Sequence, residues 1–167
     1  MRPHGFSLIE LMVAITILAL VVMLGVPMYT QFIGNTQVRN AAESMLNGLR
    51  LAQAEAVKRN EPVQFALDSA TGWQVRDIAD NTTIQSYSFA EGAPKAKIVI
   101  APGKTTGVTY SGLGRVVPNP DGSVSIAQID VTTAMTAEPR DLRLVVGLSD
   151  VRMCDPKFAS PDPLACP

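Results

Sequence analysis

Residues 5–28 of the chain read GFSLIELMVAITILALVVMLGVPM, and within them residues 11–28 form an apolar run of 18 positions. A run of this length is a candidate for a transmembrane helix. A signal peptide that is later removed is the ordinary alternative, but its apolar core is shorter. No small-x-small cleavage site follows the core of this run. A plain signal anchor also fits the length.

Charge is distributed unevenly along the chain. The 167 residues include 14 basic and 15 acidic side chains, and 47% of all residues are hydrophobic. None of the 28 positions from 11 to 38 is charged, so the other 139 positions hold all the charges at about 21%, close to an ordinary soluble domain. The apolar content excludes intrinsic disorder, and the balanced charge gives no sign of a nucleic-acid partner.

Glu10 stands one residue before the apolar run, where a carboxylate is costly in lipid. An ionisable residue in such a place indicates function and needs a partner. No cation follows Glu10 for 28 residues. The nearby positive groups are therefore Arg2, His4 and the amine that a cleavage would create.

The sequence GFSLIEL at residues 5–11, followed by the apolar run and Pro27, resembles the class III leader of type IV pilins and type II secretion pseudopilins. The resemblance implies that a prepilin peptidase cleaves after Gly5 and methylates the new N-terminal residue, Phe6. It also implies that Glu10 pairs with the N-terminal amine of a neighbouring subunit during assembly.

Cleavage there would make residues 1–5 a leader and would start one long helix at Phe6. Residues 6–33 are predicted to form its transmembrane and filament-core half, and residues 34–60 its amphipathic half. In the second half, apolar side chains recur at alternating spacings of four and three, so one face should pack on a domain. They are Val38, Ala42, Met45, Leu49, Ala52 and Ala56. The helix should end near Asn60, because Pro62 disfavours helical backbone at the residue before it.

Gly25 and Pro27 predict a break inside this helix, because proline lacks the N–H donor and glycine is a poor helix former. Gly34 and Asn35 weaken the helix in the same way. A simple proline kink in a membrane helix is the alternative. The resemblance to pilins implies that the region loosens when subunits pack into a filament.

After residue 60 the hydrophobic period changes from 3.6 to 2, and Gly and Pro separate short alternating segments. The predicted fold class is α+β, with the long N-terminal helix packed on an antiparallel β-sheet head of residues 61–153, a pilin-like fold. The predicted strands are Val63–Leu67, Trp73–Arg76, Ile84–Phe89, Lys97–Ile100, Val108–Tyr110, Arg115–Val117, Val124–Ile129, Leu142–Val146 and Val151–Met153.

The head carries a second resemblance. AEAVKRNEPV at residues 54–63, Trp73 after a short turn, YSGLGR at residues 110–115 and the closing segment 142–153 are similar to the GspH/FimT family of pilin-like proteins. Trp73 is expected in the core or on a sheet face, with a contact to a partner as the alternative. Within the family the chain is most similar to minor pilins of the FimU type, which take part in a tip complex that primes pilus assembly. This implies a structural subunit rather than an enzyme, with a minor pseudopilin of a type II secretion system as the alternative.

Cys154 and Cys166 enclose 11 residues, three of them prolines. In an oxidising periplasm they should form a disulfide that closes the tail, residues 154–167, and stabilises it by about 3 kcal/mol. Two thiols without a histidine in the mature chain make at most half a zinc site, and the spacing is not that of a redox pair. No metal or other cofactor is expected.

Two further activities are disfavoured. After the expected cleavage removes His4, no histidine is left as a general base, and the chain has neither a nucleophile elbow nor a phosphate-binding loop. Some FimT-like proteins are DNA receptors in natural transformation and use a Gly-Arg-x-Arg motif, but the corresponding LSDVR at residues 148–152 retains only Arg152. Residues 60–167 hold 9 basic and 12 acidic side chains, whereas phosphate binding needs clustered positive charge.

The resemblance also implies partners and location. The N-terminal helix should bind other minor pilins and the major pilin, and the prepilin peptidase should process the leader. Before assembly the chain is expected to span the inner membrane once with its head in the periplasm. After assembly it is expected in a pilus or pseudopilus filament.

Overall fold

The computed structural model describes residues 7–103, 105–136 and 138–167. Its longest element is helix α1, Leu8–Arg59, whose 52 residues span about 78 Å at about 1.5 Å per residue. Ser7 caps the start, because its Oγ accepts the N–H of Glu10 at 3.3 Å. Asn60 ends the helix in the left-handed conformation, with φ 53°, where the sequence predicts the end.

Helix α1 continues through Gly25 and Pro27, so the break predicted there is wrong for the isolated chain. A proline inside a helix removes one backbone hydrogen bond, at a cost of about 3 kcal/mol. The many hydrogen bonds on either side keep the helix in register, because helix propagation is cooperative. Thr30 donates its hydroxyl proton to the carbonyl of Pro27, one turn earlier on the same helix, at 2.9 Å.

Nine strands and one short helix, α2 (Phe89–Gly92), form the described part of the head. The strands are β1 (Val63–Asp68), β2 (Gly72–Asp77), β3 (Thr83–Ser88), β4 (Ala96–Ala101), β5 (Gly107–Tyr110), β6 (Val116–Val117), β7 (Gln128–Thr133), β8 (Leu142–Val146) and β9 (Val151–Cys154). They make two antiparallel sheets, of order β3-β2-β1-β5-β6 and β4-β7-β8-β9.

The α+β fold class is confirmed, with two sheets where we expected one. Both sheets contact α1. The chain leaves the first sheet after β3 through α2, returns to it for β5 and β6, and leaves again before β7. Local alternation of apolar residues marks the strands but carries no information about which strands pair.

The strand predicted at Val124–Ile129 is displaced, because β7 begins only at Gln128. The residues before it bind the first sheet through irregular hydrogen bonds instead of a ladder. Asn119 donates from Nδ2 to the carbonyl of Val124 at 3.3 Å, and Ile126 donates its N–H to the carbonyl of Gly107 at 3.1 Å. These contacts hold the segment across the edge of the sheet.

The core lies between α1 and both sheets. All six apolar side chains of the predicted helix stripe are fully buried. They pack with Phe65 and Val75 of the first sheet and with Ile129 and Leu144 of the second. Trp73 lies in this core as predicted, 5% exposed, and its indole N–H donates to Ser44 Oγ at 3.3 Å.

Candidate assembly site

The apolar half of α1 is exposed along its length. Its most apolar 18-residue window has a mean hydropathy of 2.7 and no buried residue, and α1 is the one candidate membrane span in the part of the chain that the structure describes. Its exposed side chains include Leu8, Leu11, Ile15, Leu18, Val22, Met28 and Phe32. A helix that is apolar on every side must be covered by lipid or by protein.

Glu10 lies in the first turn of this exposed half. Its carboxylate has no ion-pair partner among the described residues. The helix dipole favours a negative charge in this turn. The hydroxyl of Thr16 donates to the carbonyl of Met12 at 2.7 Å and so needs no outside partner. Glu10 is the one charged side chain of the exposed apolar half.

Gly5 and Phe6, the predicted processing residues, lie outside the described residues.

Three amide side chains of α1 form hydrogen bonds with the head where the helix enters it. Asn35 Oδ1 accepts the N–H of Arg140 at 3.0 Å, and Gln37 Oε1 accepts the N–H of Lys95 at 2.9 Å. One turn further, Asn40 donates from Nδ2 to a carbonyl of α2 at 3.4 Å. These amides hold the loops before β4 and β8 against the helix at the point where its exposed half begins. These bonds were not predicted from the sequence, although three amides just after the apolar run were an available signal.

Close packing supports the same junction. A β-carbon added at Gly34 would lie 3.3 Å from side-chain carbons of Thr133, Met135 and Thr136. Such a contact is tighter than ordinary van der Waals packing, so the small residue lets the loop after β7 lie against the helix.

Ion pairs hold the C-terminal end of α1 in place. Glu55 accepts hydrogen bonds from Arg59 Nε at 2.9 Å and Lys58 Nζ at 3.0 Å, and these bonds lower the pKa of the Glu55 carboxyl. Arg59 also donates from a terminal guanidinium nitrogen to Asp77 Oδ2 at 3.1 Å. The bonds to Glu55 and Asp77 raise the pKa of Arg59, with Glu55 as the larger cause. The helix end is therefore tied to strand β2.

The C-terminal tail is closed by a disulfide between Cys154 and Cys166, whose Cα atoms are 5.0 Å apart. Asp155 follows as a buried residue, and its N–H donates to the carbonyl of Leu164 at 2.8 Å. Lys157 Nζ lies 3.3 Å from Asp141 Oδ2. The tail is therefore held against the loop before β8, at the base of the head.

The two arginines of the second sheet, Arg143 and Arg152, are paired with carboxylates. Arg152, the residue retained from the DNA-binding motif, is exposed and lies 2.8 Å from Asp150 Oδ2. Arg143 binds Asp130 at 2.6 Å in the same sheet. The described residues thus show mixed charge on this face, and they contain no cluster of three side chains that could hold a metal ion.

Comparison with known proteins gives two family matches. The model of the family described as Type II transport protein GspH matches residues 41–150, and the Prokaryotic N-terminal methylation motif matches residues 1–26. The second match covers Gly5, Phe6 and Glu10. No curated protein matches the chain.

Two crystal forms of the type IV minor pilin FimU of Pseudomonas aeruginosa strain PAO1 have similar structures. The P21 form has a TM-score of 0.53 at 14% identity and covers 78% of this chain and 97% of FimU. The P65 form has a TM-score of 0.49 at 13% identity and covers 74% and 97%. At this identity the likeness of the P21 form shows the fold alone. The GspH match spans 110 of the 167 residues and the methylation motif adds the N-terminal segment, so the chain belongs to the GspH family of type IV pilin-like proteins.

Proposed function

We propose that the chain is a minor type IV pilin, a non-enzymatic structural subunit that enters the pilus in a tip complex and helps to initiate assembly. The exposed apolar half of α1 carries the proposal. The head has its own closed core, so this half is surplus to folding and must be covered by something else. Lipid covers it before assembly, and the helices of neighbouring subunits cover it afterwards.

Glu10 favours transfer of the chain from the membrane into the filament. After cleavage behind Gly5 and methylation of Phe6, the new N-terminus carries a positive charge at the edge of the apolar segment. A carboxylate in lipid costs a few kcal/mol on insertion scales. Pairing Glu10 with the amine of a neighbouring subunit offsets that cost, so the charge pair favours transfer from the membrane into the filament.

The tail supports a location outside the inner membrane. A disulfide between Cys154 and Cys166 persists in an oxidising compartment such as the periplasm. We propose that residues 6–33 span the inner membrane before assembly and that the head and tail lie in the periplasm.

Replacement of the assembly carboxylate tests this function. We expect Glu10→Ala to leave the chain in the membrane fraction but to reduce its amount in sheared filaments strongly, because the partner of the N-terminal amine is lost. Thr16→Val is the matched control, because the Thr16 hydroxyl already bonds within its own helix. Normal incorporation of Glu10→Ala would contradict the mechanism.

The alternative is a minor pseudopilin of a type II secretion system, and the description of the matching family favours it. The two functions differ in partners and not in chemistry. Co-purification of the full-length chain with other minor pilins supports the pilus, whereas co-purification with secretion pseudopilins supports the alternative.

A DNA receptor of the FimT type is less well supported, because Arg152 is paired with Asp150 and the head is more acidic than basic. A gel-shift titration of the protein with double-stranded DNA tests it. We expect no binding at micromolar concentration, and micromolar binding that weakens with salt would overturn this choice.

A further inference from the structure

The YSGLGR segment, residues 110–115, forms a turn that lies directly on the C-terminal end of α1. A β-carbon at Gly112 would lie 2.6 Å from Asn60 Oδ1, and one at Gly114 would lie 3.1 Å from Val57 Cγ2. Gly114 also has φ of +72°, in the left-handed region that favours glycine. The two glycines therefore let the turn touch the helix, and the residue between them, Leu113, is left 83% exposed.

Gln53 holds a second turn beside the first. Its Nε2 donates to the carbonyl of Gly114 at 2.8 Å and to the carbonyl of Ser149 at 2.9 Å. The β6 residue Val116 also donates its N–H to the carbonyl of Leu148 at 2.9 Å. The β5–β6 turn of one sheet and the β8–β9 turn of the other are thus fixed side by side on α1.

Three exposed apolar side chains meet at this end of the head. Leu113 and Leu148 stand on the two turns, 83% and 78% exposed, and Val57 of α1 is 52% exposed beside Gly114. We call these three residues the distal patch. Single exposed leucines are ordinary on protein surfaces, but here three separate elements are held together by one glutamine and the apolar side chains still face water.

Lipid is not the ligand of the distal patch. Val57 lies 29 residues beyond Met28 on one continuous helix, about 43 Å at about 1.5 Å per residue. That length exceeds the hydrocarbon core of a bilayer, about 30 Å. A membrane around the apolar half therefore lies at the opposite end of the head and does not reach the distal patch.

The charges around the distal patch indicate the character of that partner. Arg50 lies one turn before Gln53 and Arg115 follows Gly114, and both are exposed without an ion-pair partner in the described part of the chain. Nearby Arg152, by contrast, is paired with Asp150 at 2.8 Å. Glu61, next to Asn60, is an exposed carboxylate without an ion pair in the described residues, so the two unpaired arginines outnumber it and favour carboxylates on the partner.

We propose that the distal patch, with Arg50 and Arg115, docks the head of a different subunit of the filament, one that presents an apolar surface edged by carboxylates. A second copy of this chain in a two-fold arrangement would bring Arg50 and Arg115 of one copy against the same arginines of the other, which like-charge repulsion disfavours. The inference rests on the proposed function, because it requires a filament subunit as partner.

Site-specific photo-crosslinking of the full-length chain in its host tests the contact. The probe is a photo-reactive phenylalanine derivative in place of Leu113, and mass spectrometry identifies the crosslinked peptide. We expect a crosslink to the head of another pilin-like subunit at a surface that contains carboxylates. A crosslink to a second copy of this chain, a crosslink to lipid, or no crosslink would each overturn the proposal.

A pair of charge insertions measures the strength of the contact. Leu113→Asp should lower recovery of the crosslink partner in co-purification at least about tenfold, as truncation of a central interface residue does. Leu164→Asp is the control, because Leu164 is 48% exposed in the tail at the opposite end of the head. Resistance of the head, residues 61–153, to proteolysis in both variants checks folding.

Charge reversal provides a second test of the docking contact. Arg115→Glu should lower recovery of the same partner, whereas Lys97→Glu, a charge reversal at an exposed residue of β4, should not. Equal recovery with Leu113→Asp, Arg115→Glu and the unaltered chain would overturn the docking proposal while the chain still enters filaments. Absence of the unaltered chain from filaments would instead contradict the proposed function, and this inference would fail with it.

Discussion

Gly48 of α1 lies directly against the indole ring of Trp73 in β2. A β-carbon at residue 48 would stand 2.9 Å from Cζ3 of Trp73 and 2.8 Å from Cε2 of Phe65, closer than carbon atoms pack. The rings of Trp73 and Phe65 have centroids 5.6 Å apart, so both aromatic side chains fill the space left by the glycine. The helix can approach the first sheet this closely because residue 48 has no side chain.

Gly48→Ala should therefore destabilise the head although alanine is the better helix former. Overpacking costs about 1–3 kcal/mol, against a gain of about 1 kcal/mol from helix propensity. Thermal unfolding of the full-length chain in detergent, followed by Trp73 fluorescence, measures the difference. Gly25→Ala is the control, because nothing lies within 4 Å of a β-carbon there. An unchanged midpoint for Gly48→Ala would contradict the packing.

Gln53→Ala should loosen two turns at once. The amide of Gln53 bonds the carbonyls of Gly114 and Ser149, and loss of both bonds should cost about 1–3 kcal/mol. Hydrogen exchange of the full-length chain should rise at the turns before β6 and β9. Asn47→Ala, at an exposed position on the same helix, should leave both turns protected. Faster exchange at one turn only would show that the two turns do not depend on a common residue.

Loss of the disulfide should free the tail and leave both sheets folded. Cys166→Ser removes the bond to Cys154, and closure of a loop of this length is worth about 3 kcal/mol in the chain-entropy model. Proteolysis should then cut within residues 155–167 while the remaining head resists. Alkylation of both thiols in the unaltered periplasmic protein would show that the bond does not form in the cell.

Acid should weaken the end of α1 through Glu55. Arg59 and Lys58 lower the pKa of Glu55 in the folded chain, so its ionisation stabilises the fold above the ordinary carboxyl range of about pH 4 to 5. This contribution is lost as the pH falls through the lowered pKa. Glu55→Gln should therefore reduce the unfolding midpoint at pH 7, and the deficit should shrink as the medium becomes more acidic.

The control for this pH dependence is Glu61→Gln, because Glu61 is exposed and has no ion pair in the residues that the structure covers. It should give no deficit at pH 7. A deficit of Glu55→Gln that is the same at pH 7 and in acid would show that the carboxylate stabilises the chain by something other than its charge.

Local patterns in the sequence predict α1 and most strands well. The stripe from Val38 to Ala56 is buried because a helix face that repeats every three or four residues can bury itself in one core. The break at Pro27 was predicted from a local penalty, and the length of the helix around it outweighs that penalty in the isolated chain.

Contacts between distant residues account for what the sequence does not predict. The separation of β4 and β7–β9 into a second sheet depends on pairing across long loops. The distal patch is a similar case, because Leu113 and Leu148 are far apart in sequence and are brought together by Gln53 and by the bond from Val116 to Leu148. Glu10, in contrast, could be singled out from the sequence, because a lone carboxylate beside an apolar run is costly without a partner.

The N-terminus of the chain recovered from sheared filaments tests the central claim most directly. Mass spectrometry should find a chain that begins at Phe6, carries one N-terminal methyl group and lacks residues 1–5. Recovery of a chain that still begins at Met1, cleavage at another position, or absence of the chain from filaments would contradict the proposed role as a processed pilus subunit.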